Sequence, residues 1–308
     1  MLSPSPSNPA AFHFHVDQDA VALKAWAMQN DSPLVPPPRA LHPGLVLVAE
    51  WAWANMDKEQ SEHYQRLQTA TGEASLGLLY SYPAHATHIT VSTLSSFKKP
   101  DAPRAGGLSP EADAAFVAAW GDALAGALGN ENMAPFELEA YKIELSAGAA
   151  FLHFRDPTDS FGRLRALVAS VRDTDPELAT FDDLLGGRVR EAVHLPDIVH
   201  SSYARFVASS CDSPQPFVPV RASAGDKPPT AMPDTTIGDT SGNSGSVDGT
   251  TLKSRFDAAA SRFRPFTVRV TGLTLANECS PYMHQGLEEG TARFFPLQAP
   301  SAVSSTGP

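Results

Sequence analysis

The sequence predicts an α+β fold of two pseudo-symmetric lobes, each an antiparallel sheet with helices, on either side of a central cleft. Two observations support this prediction. The order strand, helix, strand occurs twice, first at 87–94, 110–128 and 136–145 and again at 197–207, 252–263 and 266–275. Each run also begins with a strand that contains a His-x-Thr or His-x-Ser triplet. A duplication of this kind gives two layers of sheet and helix, with the histidine-bearing strands in equivalent places.

Two strands and a helix are predicted before the first triplet. Residues 1–43 are rich in Pro, Ala and Ser, so we expect this segment to be loosely ordered. The apolar run 45–50 predicts a buried strand, with a helix that continues through Trp53 as the alternative. We expect a polar-faced helix over 57–70 and a second strand over 76–82.

The helix at 110–128 has the clearest boundaries in the sequence. Ser109 provides an N-cap, and Pro110 stands at the first helical position. Gly129 and Asn130 then supply a C-terminal stop. These signals predict a helix that begins and ends sharply after the first triplet.

A hairpin and a second helix follow. Strands at 136–145 and 149–154 are joined by a short turn that contains Gly148. The turn at 156–160 leads into an amphipathic helix. Its apolar positions are Leu164, Leu167, Val168 and Val171. Residues 184–193 are interpreted as a further helix.

A polar segment divides the last third of the chain. The strand at 197–207 precedes residues 212–249, in which Pro, Ser, Thr, Gly and Asp dominate. Such a segment buries too little apolar surface to offset its ordering entropy, so we predict a disordered insertion. Order resumes with a helix at 252–263 and strands at 266–275 and 291–297.

Length and charge limit the classes of function. With 308 residues, of which 42% are hydrophobic, the chain can build a sizeable core. We expect one bilobal domain over 44–297 and a flexible tail at 298–308. The net charge of −11 disfavours the basic surface that long nucleic acid requires, although a small nucleotide or an RNA end remains compatible.

Cysteine content and hydropathy indicate the compartment. Cys211 and Cys279 are too few for a disulfide scaffold. No apolar run is long enough to span a membrane, and the N-terminus lacks the features of a signal peptide. We therefore expect a monomeric cytoplasmic protein without a membrane partner.

Two triplets, His88-x-Thr90 and His200-x-Ser202, carry the functional signal. Alternate side chains of a strand face the same way, so the histidine and the hydroxyl of each triplet share one face. Two imidazoles across a cleft suit general acid–base chemistry, because histidine titrates near neutral pH. The hydroxyls can donate hydrogen bonds to the oxygens of a phosphate.

Other interpretations of the histidines stay open. Triplets of this kind occur by chance, and a third, His85-x-Thr87, lies after Pro83 in a predicted loop. His85 and His88 have a spacing that can bind zinc, but no cysteine or carboxylate cluster completes a site, so we expect neither metal nor cofactor. His153 either lines the cleft or is a structural histidine. The sequence has no nucleophile elbow, phosphate-binding loop or Rossmann fingerprint.

Segments 87–91 and 199–206 resemble the paired motifs of the two-histidine (2H) phosphoesterase superfamily, which includes RNA ligase-like and cyclic nucleotide phosphodiesterase-like proteins. That motif is His, an apolar residue, Thr or Ser, and another apolar residue, and it occurs twice. The second copy often continues into a short strand with an arginine, as it does here with Arg205. Ser201 departs from the pattern, since an apolar residue is usual there. Ser202 keeps the hydroxyl of the usual threonine.

The resemblance covers 44–297 and implies two lobes that face each other across a groove. It implies metal-independent cleavage of a 2′,3′-cyclic phosphate, or a related phosphodiester on a nucleotide or an RNA end. His88, Thr90, His200 and Ser202 would be the catalytic residues, and the sequence does not assign which imidazole is acid and which is base. Two alternatives remain: a non-catalytic nucleotide or RNA-end binding module of the same fold, and an α+β interaction protein whose insertion recruits partners.

Overall fold

The computed structural model describes most of the chain, namely residues 12, 14–29, 37–50, 58–75, 77–105, 108–208, 249–284 and 291–297. These residues form an α+β fold with two antiparallel sheets, which confirms the α+β class and the two sheets of the prediction. The predicted insertion lies outside the described residues except for Gly249, and so does the tail at 298–308. No helix in the described ranges is both long and apolar enough to cross a membrane.

The secondary structure follows the predicted order, but the helix predicted over 184–193 is limited to Arg188–Ala192, and a helix over Pro176–Leu184 was not predicted. Gly186 and Gly187 separate these two helices with positive φ angles. The described strands are β1 (Gly44–Glu50), β2 (Leu79–Ser81), β3 (His88–Ser95), β4 (Phe136–Leu145), β5 (Ala149–Arg155), β6 (His200–Phe206), β7 (Phe266–Val270), β8 (Gly272–Glu278) and β9 (Thr291–Pro296). The described helices are α1 (Gln18–Gln29), α2 (Lys58–Ser75), α3 (Pro110–Glu131), α4 (Ser160–Thr174), α5 (Pro176–Leu184), α6 (Arg188–Ala192) and α7 (Gly249–Ala260).

The two sheets meet along the strands that carry the triplets. The four-stranded sheet has the order β3-β1-β8-β9, and the five-stranded sheet has the order β2-β6-β5-β4-β7. Strand β3 begins at His88 and lies at the edge of its sheet, whereas β6 begins at His200 and lies inside the other. Strands β3 and β6 contact each other. This contact is what brings the two predicted half-sites together.

The prediction of one strand over 266–275 was wrong. The structure contains two strands that are separated at Thr271. Strand β7 pairs with β4 in the five-stranded sheet, and β8 pairs with β1 in the four-stranded sheet. Gly272 begins the second strand, and its missing Cβ leaves room for the Phe294 ring, which would lie 2.3 Å from that Cβ. The chain therefore crosses between the sheets at this point.

The crossing changes how the repeated elements are distributed. Strand β3 of the first run lies in the four-stranded sheet, but β4 and β5 of the same run join β6 in the five-stranded sheet. Each sheet is therefore built from both runs, and neither lobe corresponds to a single run. The periodicity of the sequence located the strands, apart from the break at Thr271, but did not determine which strands are neighbours.

One hydrophobic core connects both sheets. Fully buried Leu47 of β1 and Leu152 of β5 belong to the same cluster, together with Trp120 of α3 and Leu164 of α4. Helix α3 begins as predicted, because the Ser109 hydroxyl accepts a hydrogen bond from the amide of residue 112. The core therefore packs against the face of each triplet strand that is opposite its histidine.

Helix α1 was not predicted, since the whole segment 1–43 was expected to be loose. Asp17 caps it, with its side chain accepting a hydrogen bond from the Ala20 amide at 3.1 Å. Ala20 and Leu23 are fully buried and belong to a second cluster that includes Tyr82 and Tyr282. The helix is therefore held by both a cap and apolar packing.

Candidate functional site

The four predicted site residues lie where β3 and β6 meet. His88 and Thr90 are half-buried, while Ile89 between them is fully buried against the core. His200 and Ser202 are likewise half-buried on one face of β6. The two imidazoles are near enough that the charge of His200 opposes protonation of His88. The structure thus places the two histidines together, each with its hydroxyl neighbour on the same face.

His88 is held in a defined tautomer. Its Nδ1 lies 3.0 Å from the carbonyl oxygen of Ala86. Because a carbonyl can only accept, Nδ1 carries the proton and Nε2 of the neutral ring carries the lone pair. Burial lowers the pKa of His88 to about 4, the hydrogen bond to Ala86 acts against this, and the charges of His200 and Arg205 lower the pKa further. At neutral pH, His88 is a proton acceptor.

His200 has a different environment. Its ring is perpendicular to that of Phe151, with centroids 4.9 Å apart and an interplanar angle of 89°. Burial lowers its pKa, the Ile198 carbonyl acts in the opposite direction, and the charge of His153 lowers it again. Its Nδ1 is buried and makes no hydrogen bond of normal geometry within the described part of the chain. A ring without such a bond can still adjust to a ligand.

Arg205 was noted in the sequence only as part of the motif resemblance, and the structure places it beside the candidate site. Strict alternation from His200 would place it on the opposite face of β6 from Ser202. The pairing of β6 with β5 shifts register between the Ala150 and Phe151 partners, which inserts one residue into β6. This bulge turns Arg205 toward the same face as His200, and its charge lowers the pKa of both histidines.

Arg205 belongs to a polar cluster formed by four distant parts of the chain. Its guanidinium carbon lies 4.3 Å from the centre of the Tyr282 ring, and its Nη1 lies 3.5 Å from the Asp17 carboxylate. Lys98 pairs with the same carboxylate at 3.0 Å, and the Tyr282 hydroxyl donates to it. Tyr282 adopts a left-handed backbone with φ of 56°. No local sequence pattern predicts a cluster assembled in this way.

Arg165 of α4 fixes the two triplet strands relative to each other. Its Nη2 donates to the Ile198 carbonyl at 2.9 Å, just before β6, and its Nε donates to the Val91 carbonyl of β3 at 3.4 Å. Its guanidinium also lies 5.3 Å from the centre of the Phe161 ring. One helix residue therefore connects both histidine-bearing strands.

His153 lines the same face as His200. The two residues are partners in the register of β5 and β6. Nε2 of His153 lies 3.2 Å from Oε2 of Glu144, and the histidine side chain is 14% exposed. His153 therefore lies beside His200, and its contact with Glu144 also fits the structural interpretation, so the structure agrees with both interpretations that the sequence left open.

The third triplet lies in a short 3₁₀ turn before β3. The Thr87 hydroxyl donates to the Ala84 carbonyl at 2.7 Å, which is a local turn contact. The His85 side chain is outside the described residues. Among the side chains that are described, no group of three or more His, Cys, Asp or Glu is arranged to hold a metal ion.

Comparisons with known proteins add little to this site. No protein-family model matches the sequence, and no curated protein matches it. Among solved structures, the chain is similar to the crystal structure of TT0787 of Thermus thermophilus, with 14% sequence identity and a TM-score of 0.41. The match covers 82% of this chain and 97% of that chain. A likeness at this TM-score carries no weight for function.

Proposed function

We propose that this protein is a metal-independent phosphoesterase of the 2H type, which hydrolyses a 2′,3′-cyclic phosphate or a related phosphodiester on a nucleotide or an RNA end. The observation that carries the proposal is the contact between β3 and β6, which brings the beginnings of both strands, His88 and His200, together, each with a hydroxyl on the same face of its own strand. The protonation state of His88 supports an acid–base division between them.

His88 is the proposed base. Its Nε2 takes a proton from water, and the water oxygen attacks phosphorus. The bond from phosphorus to one ribose oxygen breaks, and His200 donates its proton to that leaving oxygen. The product is a nucleoside monophosphate. His88 ends protonated and His200 ends neutral, so a proton exchange with solvent restores the starting state. The negative charge of a bound phosphate favours the protonated His200 that this role requires.

The hydroxyls of Thr90 and Ser202 are the proposed donors to the non-bridging phosphate oxygens. Charge increases on these oxygens in the transition state, so donors fixed on strands stabilise it without reorganisation. Arg205, which also pairs with Asp17, lies on the same face of the groove, and its charge lowers the pKa of both histidines. The three groups are suited to binding an anion between the two histidines.

Hydrolysis of 2′,3′-cyclic AMP, measured with and without a chelator, tests the proposal. We expect turnover with chelator present, and a loss of roughly 10²–10⁴-fold in kcat for His88→Ala or His200→Ala, the usual contribution of general acid–base groups. Turnover that survives both substitutions would contradict the proposed site. Turnover that requires a divalent cation would contradict the mechanism.

His194→Ala is the matched control. The imidazole of His194 is exposed. Its backbone amide donates to the Thr93 carbonyl at 2.8 Å, and its carbonyl accepts from the Thr93 amide at 2.9 Å and from the Ser92 hydroxyl at 3.2 Å. Its removal should leave kcat unchanged. Saturable nucleotide binding without turnover in the wild-type protein would support the binding-module alternative instead.

A further inference from the structure

A small cavity lies on the far side of the five-stranded sheet from the histidines. It has a volume of about 210 Å³ and is formed by α2, α7, the start of β7 and one residue of β4. Its lining residues on the apolar side include Leu67, Ala70, Ile143 and Phe263. Cavities that hold drug-sized ligands are typically about 300–1,000 Å³, so this one fits a smaller molecule.

Three aromatic rings line part of the cavity. The His63 ring stacks on Phe266, with centroids 4.7 Å apart and planes inclined by 7°. Phe263 meets Phe266 edge to face at 6.0 Å. Flat rings in this arrangement offer an extended surface for another flat ring, because offset stacking and edge contacts are both favourable.

The rim of the cavity is cationic. Three arginines line it, Arg66, Arg262 and Arg264. Arg66 has one ion-pair partner, Glu62, at 3.3 Å, in a pair whose side chains are 62% and 47% exposed. Arg262 and Arg264 form no ion pair with any residue in the described ranges. Three guanidinium groups therefore line one partly apolar opening in a chain whose net charge is −11.

This cavity is separate from the proposed phosphoesterase site. Ile143 pairs with Leu152, which pairs with Ser201, and these three side chains are buried on the core face of the sheet. His153 and His200 occupy the opposite face. A molecule bound in the cavity would therefore not contact the histidines.

We propose that the cavity binds a small aromatic organic anion, with its ring against the aromatic and apolar lining residues and its negative group at the arginines. The aromatic side chains select the flat body, and the guanidinium groups select the charge, since they bind carboxylates or similar groups in a bidentate manner. The proposal does not depend on the phosphoesterase activity.

Binding of 2-naphthoate to the full-length protein tests this proposal, with 2-naphthamide as the uncharged analogue. We expect saturable calorimetric binding of the carboxylate and changes in the methyl NMR signals of Ala70, Ile143 and Ala259, which line the cavity. The amide should bind at least tenfold more weakly. Absence of these signal changes at millimolar 2-naphthoate would overturn the proposal, as would equal binding of acid and amide.

The arginines are tested by the double variant Arg262→Glu/Arg264→Glu, which should weaken 2-naphthoate binding at least tenfold. Arg269→Glu is the matched control, because Arg269 is also exposed but lies on the opposite face of β7, paired with Glu137. It should leave binding unchanged. If the double glutamate variant fails to fold by circular dichroism, Arg262→Gln/Arg264→Gln replaces it. Unweakened binding by a folded double variant would overturn the proposal.

Discussion

At the scale of single residues, the environment of His88 decides what the site can do at neutral pH. The main influence is burial, which favours the neutral ring, and the positive charges of His200 and Arg205 act in the same direction. The hydrogen bond from Nδ1 to Ala86 partly opposes them. The result is an imidazole that is neutral over the whole physiological range and presents one fixed nitrogen as acceptor.

This environment makes stability depend on pH. Folding lowers the pKa of His88 from 6.5 to about 4, so the unfolded chain binds a proton that the folded chain does not between these values. The free energy of unfolding should therefore fall as the pH drops through this window, by up to about 1.4 kcal/mol per pH unit from this residue. Urea denaturation of the wild type and His88→Gln at several pH values measures the difference.

In the His88→Gln variant, the free energy of unfolding should change less with pH between about pH 4 and 6.5 than in the wild type. Above that range its pH dependence should be the same as in the wild type. Histidine NMR gives an independent check, since the His88 signals should show a neutral ring down to about pH 4. A His88 that titrates near 6.5 in the folded protein would contradict the described burial. Equal slopes for both proteins would do the same.

At the scale of elements, α1 connects the two sheets through its capping residue. The Asp17 carboxylate accepts a hydrogen bond from Lys98, which follows β3, and lies 3.5 Å from Arg205 of β6. Burial acts to raise the pKa of Asp17, but the Tyr282 hydrogen bond and these two cations lower it overall. One side chain therefore caps a helix and neutralises charge at the edge of the groove.

Asp17→Asn should lower the free energy of unfolding by about 1–3 kcal/mol at pH 7, the usual cost of leaving charged hydrogen-bonding groups unmatched. Asparagine is an equally good N-cap, so the loss reports the charge and not the cap. Because folding lowers the pKa of Asp17, the difference between the two proteins should shrink as the pH falls through the range below 3.8. Urea denaturation of both proteins at pH 7 and at a pH below 3.8 measures this difference in the free energy of unfolding.

Asp19→Asn is the control for the same helix. Asp19 lies 3.7 Å from Lys98, but its side chain is 44% exposed, against 12% for Asp17. Exposed ion pairs contribute roughly 0–1 kcal/mol, so this change should have little effect on stability. Equal losses in the two variants would show that the ion-pair cluster is not what holds α1.

The elements also show which parts of the fold the sequence could predict. Period-two alternation identified β3 and β6 and placed each histidine beside its hydroxyl, because that periodicity is local. The bulge before Ala204 is set by pairing with β5, so Arg205 could not be assigned to the groove. The break at Thr271 depends on which sheet each half can join, and this is also non-local. Helix α1 had a local signal in Asp17, which the Pro-rich composition around it obscured.

At the scale of the whole molecule, the two sheets share one core and exchange strands. Between β7 and β8, the single residue Thr271 links the five-stranded sheet to the four-stranded sheet. Side chains from both sheets and from α3 and α4 belong to a single hydrophobic cluster. A groove between two such sheets keeps its geometry because neither sheet can be displaced without disrupting the core.

This arrangement predicts that the two sheets unfold together. Leu47 in the four-stranded sheet and Leu152 in the five-stranded sheet are both fully buried in that cluster. Leu47→Ala and Leu152→Ala should each lower the free energy of unfolding by about 2–5 kcal/mol, the usual cost of such a cavity. Because the cluster is continuous, either change should reduce hydrogen-exchange protection by the same amount in the most protected amides of both sheets. Loss of protection confined to the mutated sheet would show instead that the lobes are independent, and that the contact between β3 and β6 alone sets the spacing of the two histidines.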